Sequence, residues 1–161
     1  MDYLWSPWRY QYVSKSIHDA GCIFCVKGSE DRDNENHIVH RGAHNFVILN
    51  LYPYSTGHLM VAPYEHLANL EAAPEATLHE MIELVRQAEV HLRDVYHPHG
   101  LNLGMNLGES AGAGVPGHIH MHVLPRWSGD TNFMTTVAET RVLPESLEST
   151  FEKLKKAFGQ K

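Results

Sequence analysis

The sequence predicts an α+β fold built on an antiparallel sheet of about five strands, and three observations carry that reading. Short runs rich in β-branched and aromatic residues follow one another in hairpin-like succession, one long stretch places its apolar residues three and four apart, and the chain closes on a further helical segment. No internal repeat or linker divides it, so residues 1–161 are expected to form one domain, long enough to bury roughly two-thirds of the surface of the unfolded chain.

An aromatic-rich arm over residues 1–20 leads into GCIFC and then into SEDRDNEN, which reads as a polar surface loop. His37 to Arg41 and Asn45 to Asn50 form a hairpin around Gly42-Ala43-His44. Leu51 to Gly57, with Pro53 and Gly57, is a loop, and His58 to Pro63 is the third strand. A short helix is expected over Leu67 to Ala72. The long helix runs from Pro74 to about Tyr96, with Leu78, Met81, Ile82, Leu84, Val85, Ala88, Leu92 and Val95 making its apolar stripe. Leu101 to Leu107 and His118 to Leu124 are two more strands, separated by the glycine-rich GESAGAGVPG, and a last helix spans Pro144 to Phe158.

Composition excludes several classes. With 43% hydrophobic and 20% charged residues the chain is neither disordered nor fibrous. A formal net charge of -6 and no basic stripe argue against nucleic acid as a partner. No apolar run approaches the roughly 20 residues of a membrane helix, and the N-terminus has no signal-peptide pattern, so no membrane partner and a cytoplasmic location are expected. The thirteen histidines are the abnormal count, and their distribution points to chemistry.

The strongest feature is Gly117-His118-Ile119-His120-Met121-His122-Val123-Leu124-Pro125. In an extended strand His118, His120 and His122 share one face, roughly 6.5 to 7 Å apart, while Ile119, Met121 and Val123 pin the other face into the core. A merely solvated strand face would carry Thr, Lys and Glu; a metal site using all three imidazoles is the other alternative. A neutral imidazole is a good nucleophile toward phosphorus, and its neighbours can donate hydrogen bonds to phosphate oxygens, so a central nucleophile with a helper on either side fits this row. The loop Asn106 to Gly117 runs directly into it, and its glycines allow backbone N–H groups to point at an anion. Asn50 closes the second strand, where it can face a sugar hydroxyl, and His58 opens the third after Gly57. Cys22 and Cys25 form a C-x-x-C pair, which suits a metal, two reduced core thiols or a redox couple.

These residues resemble the histidine triad (HIT) superfamily over about residues 22–130, which implies a HIT-like fold. Pro125-Arg126-Trp127-x-Gly129-Asp130-x-Asn132-Phe133 and Leu4-Trp5-x-Pro7-Trp8-Arg9 look like the bacterial branch that includes diadenosine tetraphosphate phosphorylases and ATP adenylyltransferases. The resemblance implies that His120 is the nucleophile and forms a nucleotidyl-histidine intermediate. His122 and Asn106 would contact the α-phosphate, backbone amides near Gly112, Ala113 and Gly114 would complete the oxyanion contacts, and His58 would hold the triad in its working orientation. Asn50 would bind ribose, with Ile23, Phe46 and Leu51 in the base pocket. By similarity to zinc-containing members, His66 and His118 join Cys22 and Cys25 around a structural Zn2+, while Mg2+ would accompany a polyphosphate substrate. The implied substrate is an adenine nucleotide or diadenosine polyphosphate, with a nucleoside phosphoramidate, a nucleotide sugar, or nucleotide binding without turnover as alternatives. A homodimer is the implied assembly. One departure stands out: where some members carry Gln or Ser ahead of the first histidine, this chain has Gly114-Val115-Pro116-Gly117.

Overall fold

A computed structural model describes residues 21–131 and 143–159. The arm over residues 1–20, with its Leu4 to Arg9 motif, and Asn132-Phe133 lie outside the described residues. Five strands form one sheet: β1 (Ile38–Arg41), β2 (Asn45–Leu49), β3 (Leu59–Pro63), β4 (Gly100–Gly104) and β5 (Met121–Arg126). Their order is β1-β2-β3-β5-β4, and every neighbouring pair is antiparallel. The α+β expectation with five antiparallel strands therefore holds. β5, which carries His122, is interior to the sheet, flanked by β3 and β4.

Alternation in the strands sorts the core into two layers. Val47, Leu49, Leu59, Val61 and Val123 face one side, where α3 (Glu75–Tyr96) contributes Met81, Leu84, Val85, Ala88 and Leu92, and α4 (Leu147–Gly159) adds Phe151, Leu154 and Phe158. Phe46, Ile48, Met60 and Ala62 face the other side, with Ile38 and with Phe24 of α1 (Ile23–Ser29). Met60 is paired with His122, so the functional row opens onto this second, more thinly covered face. Among the described residues no helix is long and apolar enough to cross a membrane.

The β1–β2 turn shows why its residues are there. A side chain on Gly42 would meet the Glu80 carboxyl carbon at 2.9 Å, because Glu80 of α3 reaches into the turn. Its carboxylate accepts the N–H groups of Ala43, His44 and Asn45 at 2.7 Å each and the Asn45 Nδ2 at 2.9 Å. Burial pushes this carboxyl up, but those four hydrogen bonds outweigh it and leave it below its usual range.

Three sequence expectations are corrected. Leu67 to Ala72 is not a helix: the Asn69 side chain accepts the Ala72 N–H at 3.0 Å, Ala73 N–H turns back to the Leu70 carbonyl, and Pro74 follows. SEDRDNEN is not simply a loop, because it holds α2 (Asp33–Asn36), with Arg41 bonded to Asp33 at 2.7 Å and to the Gly28 and Glu30 carbonyls. Directly before it, Cys22 caps α1, so Cys25 lies within a helix and Cys22 at its start. The last sheet strand begins at Met121, not His118: continuing its register would set Ile119 opposite Pro63, which has no N–H to give. Ile119 N–H bonds instead to the Leu67 carbonyl at 2.7 Å.

Replacing Glu80 with Ala leaves the turn amides without their acceptor and is expected to cost about 1–3 kcal/mol. A urea titration checks this: the midpoint should fall with an unchanged slope, and an unmoved midpoint would show that the clamp does not stabilise the fold.

Candidate functional site

The hydrogen bonds of the histidine stretch fix the state of each ring. His118 places its Nε2 at 2.9 Å from the Pro63 carbonyl, which can only accept, so Nε2 carries the proton. The lone pair is then on Nδ1, and that atom lies 3.2 Å from Cys22 Sγ and 3.5 Å from Cys25 Sγ. His66 Nδ1 lies 3.3 Å from Cys25 Sγ. The four ligand atoms of Cys22, Cys25, His66 and His118 lie within 4.8 Å of one another. An ion bound tetrahedrally by two thiolates and two imidazoles spaces its donors roughly 3.3–3.8 Å apart, so the set fits a metal ion.

His120 is tied by the same logic. Its Nδ1 donates to the His118 carbonyl at 2.8 Å, which leaves Nε2 as the unprotonated atom. The ring sits between Phe24, at 4.8 Å between centroids, and His122, at 4.9 Å. His58 and His122 form a second chain: Tyr54 N–H donates to His58 Nδ1 at 3.2 Å, so His58 Nε2 carries the proton and donates to His122 Nδ1 at 2.8 Å. His122 is thereby left with a proton on Nε2. The outcome is an acceptor nitrogen on His120 beside a donor nitrogen on His122.

Burial keeps the rings neutral. Desolvation, reinforced by the neighbouring His122 and His120, lowers His58 to about 3. Desolvation and the nearby His120 lower His122 to about 4, and desolvation lowers His120 despite its bond to the His118 carbonyl. His118 is 1% and His120 5% exposed, so the row lies in a slot in which His122 is the most open of the three imidazoles.

The remaining residues divide. Gly57 has φ +80, and a side chain there would meet Leu92 at 3.0 Å and Pro125 at 3.2 Å, so the approach of the loop to His58 requires glycine. Asn50 precedes Leu51 at the end of β2, with its side-chain oxygen accepting Tyr52 N–H at 2.9 Å. Ile23 packs at the edge of the second core layer, and Leu51 is 37% exposed. Phe46 is fully buried in that layer, its ring 5.3 Å from that of Tyr64 between centroids. Asn106 Nδ2 holds the Gly112 carbonyl at 3.3 Å, and the Gly112 and Ala113 N–H groups turn back to Glu109 and Gly108. Of the three loop amides expected to meet a phosphate, that of Gly114 makes no backbone bond among the described residues. Sequence reasoning missed Phe24, which packs on His120, and Tyr54, whose N–H holds His58. Phe24 had a signal in its position between the two cysteines; Tyr54 is brought in by a loop path that carries no periodicity.

Residues 31–129 match the family model for the HIT domain. The chain is 36% identical over 154 residues to AP-4-A phosphorylase from Mycobacterium tuberculosis, covering 91% of this chain and 79% of that protein. A Zn-bound histidine triad family protein from Mycobacterium smegmatis superposes with a TM-score of 0.69 at 28% identity, over 87% of this chain and 94% of the other. A hypothetical histidine triad nucleotide-binding protein from Sulfolobus tokodaii gives a TM-score of 0.69 at 31% identity, over 86% and 92% of the two chains.

The neutral histidines make stability depend on pH with a defined sign. Unfolded imidazoles take up a proton near pH 6.5, whereas folded His122 and His58 stay neutral to about 4 and about 3. The unfolded chain binds more protons in that window, so stability is expected to fall as pH drops below 6.5, by about 1.4 kcal/mol per pH unit for each group. Urea midpoints between pH 7.5 and 5.0 measure it, and His58→Gln should flatten the dependence; an equally steep variant would refute the assignment.

Proposed function

The chain belongs to the HIT domain family, and on that premise we propose that it is a nucleotide hydrolase or transferase that works at the α-phosphorus through a covalent intermediate on His120. The observation that carries this is the 2.8 Å bond from His120 Nδ1 to the His118 carbonyl. It fixes the tautomer whose Nε2 lone pair can attack, in a setting where the ring is neutral at ordinary pH. His120 Nε2 forms a bond to the α-phosphorus as the bond from phosphorus to the leaving oxygen breaks, with the electron pair departing on that oxygen. The Nε2 proton of His122 is the donor for a phosphate oxygen, and His58 holds that ring in register. Water or inorganic phosphate then attacks the same phosphorus, and the bond to nitrogen breaks.

Similarity to AP-4-A phosphorylase favours diadenosine polyphosphates as substrates and phosphate as an acceptor. The nucleoside would lie toward Asn50, Leu51 and Ile23. Asn106 gives one Nδ2 N–H to the Gly112 carbonyl, and its second N–H is the donor for the α-phosphate.

The Cys22, Cys25, His66 and His118 set would hold Zn2+, a reading supported by the donor chemistry, by the spacing, and by the Zn-bound relative. When bound, the ion supplies a structural cross-link between α1, the segment after β3 and the histidine stretch. Homodimer formation is supported by β4, an edge strand with Leu103 51% exposed beside Ile82 of α3 at 59%.

Two experiments test these readings. Incubation with diadenosine tetraphosphate, with and without inorganic phosphate, should release ADP in the first case if the reaction is phosphorolysis and AMP if it is hydrolysis. His120→Ala should lose about a thousandfold or more in kcat, and turnover that survives the change would reject the nucleophile. For the metal, purified protein should carry about one Zn2+ per chain by elemental analysis. Cys22→Ser should lose the ion and melt at lower temperature, because binding contributes to folding. A metal-free wild-type protein of unchanged stability would reject the site.

A further inference from the structure

We infer that the leaving half of the substrate lies along β4 and β5 in a shallow trough, floored on β4 by Gly100 and Gly104, that ends at Arg126, whose guanidinium grips the phosphates beyond the α-position. This rests on the nucleotidyl-transfer reading of His120 and adds to it the site that would select a polyphosphate leaving group.

The trough follows from register. His122, Leu124 and Arg126 of β5 are paired with Gly104, Asn102 and Gly100 of β4, and opposed residues in an antiparallel pair point to the same side. The same face of the sheet therefore carries His122 at one end and Arg126 at the other. Between them the β4 floor has a side chain only at Asn102. Neither Gly100 nor Gly104 has a positive φ, and a side chain built on either would meet nothing within 4 Å among the described residues. Packing among the described residues does not require these glycines, and what they leave there is open floor.

Arg126 is aimed back along this floor. Its Nη1 donates to Asn102 Oδ1 at 2.7 Å, and Asn102 sits one same-face pair nearer His122, about 7 Å along the strand. Its Nε and Nη2 take the Asp130 carboxylate at 2.5 and 2.9 Å. Asp130 is itself held by the Trp127 N–H at 3.3 Å and the Thr131 hydroxyl at 3.3 Å. Three of the five guanidinium N–H groups are thus used to fix the fork, which leaves two for a ligand. Asn102 gives its oxygen to Arg126, so its amide N–H groups are the end left for the trough. The anchored carboxylate offsets the positive charge, and the fork instead offers oriented donors of the kind that bind phosphate oxygens in pairs.

The direction of displacement supports the same assignment. Asn50, Leu51 and Ile23 lie on the β2 and α1 side, across β3 from β4. An in-line displacement at phosphorus sends the leaving group away from the attacking nitrogen, and with the nucleoside held on the β2 side the open direction is β4.

The test compares two substrates in steady-state kinetics: diadenosine tetraphosphate, whose leaving half carries phosphates, and adenosine 5′-phosphoramidate, whose leaving group is ammonia. Arg126→Ala should lose about tenfold or more in kcat/KM on the tetraphosphate, mainly through KM, and stay within about twofold on the phosphoramidate. Arg126→Lys should recover part of the loss. Gly104→Val, which fills the floor without touching charge, should show the same selective defect. Equal losses on both substrates, or none on either, would overturn the trough. A wild-type chain that turns over neither substrate would overturn the nucleotidyl-transfer reading itself, and the trough with it.

Discussion

One residue joins every part of this site. His118 gives its ring N–H to the Pro63 carbonyl at the end of β3, turns its bare nitrogen to Cys22 and Cys25, and lends its own carbonyl to His120 Nδ1. The three bonds use different atoms of a single buried residue, so they constrain one another. The position of the cysteine pair on α1 is thereby linked to the tautomer of the ring two residues on. Pro63 enables the arrangement twice: it ends the β-ladder for want of an N–H, and it leaves its carbonyl for the imidazole.

The second constraint is electrostatic. Three imidazoles in contact could not all be charged without strong mutual repulsion, and burial removes the solvent that would screen it. The protein accommodates them as neutral rings by giving each an assigned hydrogen-bond partner. His58 has a backbone donor on one nitrogen and His122 on the other, and His120 has a backbone acceptor on one nitrogen. The arrangement lowers stability in acid, but it leaves an unprotonated nitrogen and a protonated nitrogen side by side at neutral pH, which suits attack on phosphorus.

The two faces of the sheet divide the work. One is sealed by α3 and α4 over a broad apolar layer, and Glu80 locks the first hairpin to that layer. The other is covered at one end by α1, and among the described residues no helix covers it along β5 and β4, where Gly100 and Gly104 replace side chains. A well-buried face lets the chain hold polar, desolvated groups on the opposite one without losing its fold.

The sequence by itself determined the α+β class, the five strands, the long helix, and the alternating row of His118, His120 and His122, because period and residue chemistry are local properties. Only the tertiary structure decided that Leu67 to Ala72 is a turn, that β5 starts at Met121, and that Phe46 is sealed in the core. Each of those depends on a distant partner: Ile119 for the Leu67 carbonyl, Pro63 for the strand end, and Phe24 with Tyr64 around Phe46. The tautomers belong to the same class, since a ring's proton follows the atom across from it, and no spacing in a sequence states which carbonyl that will be.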